Sequence, residues 1–219
     1  LAPYPSVAEG HFALMITAQE AGDDAMAQAE MATLATLAPA WDYPVGWQVE
    51  RLRQTSPEAA LSLLERELAR RPQAGLELRL SYPRLLVMVK RYDAARDAFV
   101  QLSNKYPHQP EVAYAIGVLS YELKDYEEAE RSLRDALALG YREPDFVRFT
   151  LGQMAEERKL PQEAVNWYEA ITSGPQLPQA QSRLAVLEAE DGKLDAALAR
   201  LERLADMQNT PRPARVLAQ

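Results

Sequence analysis

Cysteine is absent from the 219 residues, and histidine occurs only as His11 and His108. The first absence excludes disulfides, thiolate catalysis and thiolate-bound zinc, and leaves the compartment open. The second leaves each imidazole without a recurrent acidic partner at metal-ligand spacing. His11 falls at a bulky packing position and His108 in a loop beside Pro107. There is no Gly-rich phosphate loop and no serine in a nucleophile-elbow context. The acidic doublets Asp23-Asp24, Glu127-Glu128 and Glu156-Glu157 send adjacent side chains in different helical directions. That arrangement suits capping and solvation better than a carboxylate pair. Together these features argue against an enzyme, a metal, a cofactor or a small-molecule substrate.

Long apolar runs are also missing: none approaches the roughly 18 residues a membrane span needs. Any membrane attachment would therefore come through an anchor outside this segment. The chain opens Leu-Ala-Pro-Tyr-Pro without a Met, which reads as an excised piece of a longer protein. A formal net charge of -8 would repel a phosphate backbone, so a nucleic-acid partner is not expected. The charge is uneven. Residues 1–40 carry five acids and no Lys or Arg, 41–109 carry 11 bases against 8 acids, 110–176 carry 7 against 13, and the rest balance at 6 against 6. Such runs are usually solvated faces, and the basic middle is the one stretch of the four with the charge of a docking surface.

What is present is a repeat. Alanines at 27, 60, 95, 129, 164 and 197 are separated by 33, 35, 34, 35 and 33 residues. One helical turn after each stands a bulky residue: Met31, Leu64, Phe99, Leu133, Tyr168 and Leu201. The clearest unit runs from Pro110 to Gly140, two amphipathic helices joined at Lys124-Asp125. Gly117, Ala129 and Ala136 sit where the helices must approach closely, and Ile116, Tyr126 and Leu133 fill the space between. This pattern resembles the tetratricopeptide repeat, whose period is about 34 residues. The resemblance implies an all-α solenoid, a right-handed superhelix of about six helix-turn-helix repeats in a single array over 1–219. The repeats would span 8–40, 41–75, 76–109, 110–144, 145–177 and 178–210, with 211–219 a tail or the start of a further helix.

Punctuation agrees with that division. Ser6 is a candidate N-cap, Gly22-Asp23-Asp24 a turn, and Pro39 a stop. Ser56-Pro57-Glu58 reads as N-cap, N1 and N2 of a helix, and Asp125 with Glu128 has capping-box spacing. Trp41 and Trp47 read as packing residues. Pro83 is the local conflict: it predicts a kink in the first helix of the third unit or, alternatively, a helix that starts late at a Ser81 cap. Ser173-Gly174-Pro175 reads as the hinge of the array.

In tetratricopeptide arrays the second, fifth, ninth, twelfth and thirteenth positions of each first helix line the concave face. Carried onto this chain, they place Val45, Val49, Leu52 and Arg53 there in the second unit, and Leu80, Arg84, Val87 and Met88 in the third. The fourth contributes Tyr114, Val118 and Tyr121, and the fifth Phe146, Phe149 and Gln153. That row is apolar for a solvent-lining face, which marks it as a partner site for a protein or peptide segment. The other readings are that curvature buries part of this row between adjacent repeats, and that the array is a structural spacer, its groove filled by its own chain or by a homodimer mate. A Lys, Asn and Arg clamp for a terminal carboxylate is not present, since Arg53 and Arg84 stand alone among apolar neighbours.

The stretch Leu78-Arg-Leu-Ser-Tyr-Pro-Arg-Leu-Leu-Val, through Arg91-Tyr-Asp-Ala-Ala, to Leu151-Gly-Gln-Met-Ala-Glu-Glu-Arg-Lys-Leu-Pro-Gln-Glu-Ala resembles the middle of the large tetratricopeptide lipoproteins of proteobacterial envelopes. The similarity covers roughly residues 76–171, with Pro83 where Ala would be expected. It implies a bacterial lipoprotein scaffold on the periplasmic face of the outer membrane, an adaptor for carboxyl-terminal processing proteases.

Overall fold

The computed structural model describes residues 5–209, with side chains from Val7 to Asp206. The tail 211–219 and the Ser6 side chain lie outside the described residues. Among the described residues every regular element is an α-helix, and the twelve helices form two compact units, 1–107 and 108–219. Unit 1 comprises α1 (Pro5–Glu20), α2 (Asp24–Leu37), α3 (Tyr43–Thr55), α4 (Pro57–Arg70), α5 (Leu76–Met88) and α6 (Tyr92–Lys105). Unit 2 comprises α7 (Pro110–Glu122), α8 (Tyr126–Ala138), α9 (Pro144–Glu157), α10 (Pro161–Glu169), α11 (Leu177–Glu190) and α12 (Leu194–Asn209). Each odd-numbered helix packs on the even-numbered helix after it. Within each unit, each even-numbered helix also packs on the next odd-numbered one.

The helix starts follow from proline and short polar caps. Proline lies in the first two positions of α3, α4, α7, α9, α10 and α11, where its missing N–H costs nothing. Asp23 accepts the Met26 N–H at 2.9 Å, Ser56 that of Ala59 at 3.3 Å, and Asp125 that of Glu128 at 3.3 Å. The Asp125 cap is half of a capping box: the Asp125 N–H donates to the Ser120 carbonyl, and the Glu128 carboxylate takes Ser132 and Arg131 instead.

Five of the six turns within repeats share one construction. A residue at positive φ ends the first helix: Gly22, Lys90, Lys124, Lys159 or Gly192. Its N–H and that of the next residue reach back to helical carbonyls, as in Lys124 to Tyr121 at 2.9 Å and Asp125 to Ser120 at 2.8 Å. This is the Schellman closure, which satisfies carbonyls the helix end would otherwise leave unpaired. The exception is α3 to α4, where Ser56 alone is both the C-cap of one helix and the N-cap of the next.

The repeated alanines form the spine of the core. Ala27, Ala60, Ala95, Ala129 and Ala164 are wholly buried, and Met31, Leu64, Phe99, Leu133 and Tyr168 are buried one turn later. Leu201 departs from the series and is exposed, in line with Leu194 and Leu198 on the outer face of α12.

Close approach of the paired helices depends on Gly117 and Gly152. A Cβ on Gly117 would lie 2.6 Å from Leu133 Cγ, and one on Gly152 would lie 2.4 Å from Tyr168 Cε1. Pro83 occupies the same register in α5, where the helix runs unbroken from Leu76 to Met88 and the proline is buried. The late start at Ser81 is therefore corrected: Ser81 is mid-helix, its hydroxyl donating to the Glu77 carbonyl at 3.2 Å. The hinge reading of Ser173-Gly174-Pro175 is corrected as well. A single apolar cluster joins Ala164, Tyr168 and Ile171 before that link to Ala180, Leu184 and Leu187 after it.

Candidate functional site

In unit 1 the first helices of three repeats, α1, α3 and α5, enclose a cleft of about 560 Å³. Its walls are Tyr43, Trp47 and Glu50 from α3 and Glu77, Ser81 and Arg84 from α5, with Gln19 at the α1 end. Gly46 also lines it, and a Cβ built there meets nothing within 4 Å, so the glycine leaves the cleft open.

Two polar contacts set the spacing of its walls. Asp42, at the start of α3, accepts the Gly75 N–H at the start of α5, 2.6 Å away. Arg71 donates to the Trp41 carbonyl at 3.0 Å. Aromatic contacts fix the α1 side: Phe12 meets Tyr43 edge-on at 4.8 Å between centroids and Trp41 at 6.3 Å. Trp41 is therefore an exposed edge partner, not the core residue expected, whereas half-buried Trp47 packs on the cluster of Met15, Met31 and Leu34. The Arg51 guanidinium lies over the Trp47 ring at 4.9 Å. His11 finds an acid after all, Glu30 of α2, at 2.5 Å.

The consensus register missed these α3 residues. It assigned Val45 and Val49 to the open face, and both are buried. The cause is the one-residue Ser56 junction, which shifts α3 by one position against α5, a rotation of about 100°. Tyr43, Trp47 and Glu50 thus stand where Glu77, Ser81 and Arg84 stand in the next repeat. The signal was legible in Ser56-Pro57, since a helix running to within a residue or two of its successor's cap leaves no room for the turn the other repeats use.

Elsewhere the row is divided. Leu80 is corrected: it is buried in unit 1 and offers no surface. Arg84, Val87 and Met88 are exposed on α5. In unit 2, Phe146 and Gln153 are exposed, while four other residues of the row are consumed by packing. Tyr114 stacks on Tyr141 at 4.4 Å, Phe149 leans on Tyr168 at 5.5 Å, and Val118 packs on the core around Leu133. Tyr121 donates its hydroxyl to Glu157 at 2.8 Å, and burial together with that bond pushes its ionisation well above the ordinary phenol range. Burial does the same for Tyr114.

The doublet Glu156-Glu157 ties three repeats together. Glu157 accepts from Lys124 at 2.9 Å and from Tyr126 at 3.0 Å as well as from Tyr121, and these bonds hold its carboxyl below the usual range. Glu156 accepts from Tyr168 at 2.5 Å and from Arg183 of α11 at 2.9 Å. Among the described residues, no His, Asp and Glu group could hold a metal ion, and no helix is long and apolar enough to cross a membrane.

The tetratricopeptide repeat family model matches residues 86–144 and 125–178. The chain has the tetratricopeptide-repeat fold. Solved structures agree across its length. PilF of Pseudomonas aeruginosa shares 16% identity at a TM-score of 0.68, covering 94% of each chain. PilW, a type IV pilus biogenesis factor, shares 14% at 0.65, covering 94% of this chain and 96% of its own. YrrB, described as a tetratricopeptide protein with an unusual peptide-binding site, shares 19% at 0.65, covering 81% of this chain and 92% of its own. No curated protein sequence matches the chain.

Proposed function

We propose that this tetratricopeptide array is a non-catalytic scaffold that binds a partner protein's extended segment in the α1, α3 and α5 cleft. The observation that carries this is the cleft itself. A volume of about 560 Å³ lies within the range of roughly 300–1,000 Å³ typical of ligand sites, and aromatic and charged side chains converge on it. A tetratricopeptide relative of the same fold, YrrB, is described as binding peptide. Burial of the partner's apolar side chains against Tyr43 and Trp47 would supply affinity, and the charged rim would orient the segment.

Gly46 gives a clean test. Its side-chain direction is open and its φ is ordinary for a helix, so Gly46→Phe fills the cleft without crowding the core. In a screen of immobilised peptides, the parent chain is expected to bind a subset that the variant does not, with the thermal midpoint of the variant no lower than the parent's. Equal binding by both would remove the cleft from consideration.

The resemblance of residues 76–171 to envelope lipoproteins supports a finer reading, an adaptor for a carboxyl-terminal processing protease at the periplasmic face of the outer membrane. Co-sedimentation with such a purified protease, lost in Gly46→Phe, is the corresponding measurement.

A further inference from the structure

The proposed peptide site has a charge preference of its own. Every guanidinium close to the cleft already has a carboxylate: Arg53 is held on Glu50, Arg51 lies 3.9 Å from Asp24, and Arg84 lies 3.9 Å from Glu77. Arg53 spends Nε and Nη2 on Glu50. The acids are not exhausted in the same way. Asp42 has no cationic partner and uses Oδ2 on the Gly75 N–H, and Glu20 at the end of α1 is exposed. The Glu77 side chain is 85% exposed and that of Glu50 53%. A carboxylate offers about four lone-pair sites, so each can accept a second donor beside its own arginine. The lining itself carries three carboxylates, Asp42, Glu50 and Glu77, against one guanidinium, Arg84. The aromatic wall is suited to cations as well: Trp47 already holds one guanidinium at 4.9 Å, and Tyr43 leaves 40% of its surface open.

We infer that the cleft selects an extended segment bearing Lys or Arg next to an apolar residue, with the cation received by Glu50 and Glu77 and the apolar side chain laid against Tyr43 and Trp47. This rests on the cleft being the peptide site. Charge complementarity across such a surface raises the association rate and rejects segments of the opposite sign.

The test uses the full chain with Trp41→Phe and Trp167→Phe, which leaves Trp47 as the single tryptophan. It is titrated with three peptides that share one Phe and an identical spacer and differ only in carrying Lys, Gln or Glu. The Lys peptide is expected to shift Trp47 emission and bind about tenfold more tightly than the Gln peptide at low salt, the advantage fading as ionic strength rises. Glu50→Gln with Glu77→Gln is expected to weaken the Lys peptide about fivefold and leave the Gln peptide unchanged. Equal or tighter binding of the Gln or Glu peptide would overturn the charge preference and leave the peptide site standing. No Trp47 response to any of the three would bring down both.

Discussion

In α7 and α9 the residue twelve positions ahead of the repeat alanine is a glycine with no room for another carbon, whereas in α5 that register holds Pro83. These repeats therefore reach close packing by opposite means. Unit 2 lets the helices touch and fills the contact with the Leu133 and Tyr168 side chains. The α5 and α6 pair of unit 1 places a rigid ring in the interface and gives up a backbone donor to do so. The ties between repeats differ in the same spirit. In unit 2 they run from side chain to side chain, through Glu130 to Arg158, Glu157 to Lys124 and Glu156 to Arg183. In unit 1 such a tie also runs from side chain to backbone, as in Arg79 of the third repeat to the Pro72 and Ala74 carbonyls of the second. Charged pairs respond to pH and salt; bonds from an arginine to a carbonyl do not titrate in the ordinary range.

The largest expected effect is at Gly152. Alanine normally gains up to about 1 kcal/mol over glycine in a helix, but here overpacking costs about 1–3 kcal/mol. The Tyr168 ring is held by Glu156 and cannot simply swing aside, so Gly152→Ala is expected to lower stability by about 2 kcal/mol in urea denaturation. An unchanged midpoint would show that unit 2 has slack the glycine register hides. Next comes Pro83→Ala, which restores a helical donor but removes a buried ring. An interior proline costs about 3 kcal/mol, and the lost methylenes take back about 0.8 kcal/mol each, leaving a gain of about 1 kcal/mol. Destabilisation instead would mean that the ring itself holds α5 and α6 apart at the required distance.

The smallest effect separates the units by pH. Hydrogen bonds from Lys124 and Tyr121 hold the Glu157 carboxyl below its ordinary value of 4.5, and contacts with arginine do the same for Glu130 and Glu188. A carboxylate whose value is depressed on folding contributes stability that is present above its unfolded value and lost as pH falls through the lower folded one. Glu157→Gln is expected to leave the chain slightly less stable at neutral pH, with a shallower loss on acidification below about pH 5. A loss of unchanged steepness would assign the acid response to other groups.

Much of this architecture was legible in the sequence. The repeat alanines, the prolines that open helices and the caps Ser56 and Asp125 are local signals, and each appears where its own physical chemistry places it. Phase was harder to read. The period of α3 is plain, but which residues face the cleft depends on its absolute rotation, and one missing turn at Ser56 moves that by about 100°. Tyr43, Trp47 and Glu50 were overlooked for that reason, and Val45 and Val49 put in their place. Tyr114, Tyr121 and Phe149 raise a different difficulty. Their exposure is decided by Tyr141, Tyr168 and Glu157, and Glu157 belongs to the repeat after the one whose groove Tyr121 would line. No property of a single repeat reports what its neighbour will cover.

The glutamate doublet of α9 bears on how unit 2 comes apart. Glu156 and Glu157 are consecutive, yet one holds Arg183 in the repeat ahead and the other holds Lys124 in the repeat behind. An opening that starts at α12 and strips α11 away unhooks Glu156 alone and leaves Glu157 engaged with Lys124, Tyr121 and Tyr126. Fraying from that end therefore has a built-in stop at α9, and amide exchange should fall into two classes divided at that helix, fast beyond it and slow before it.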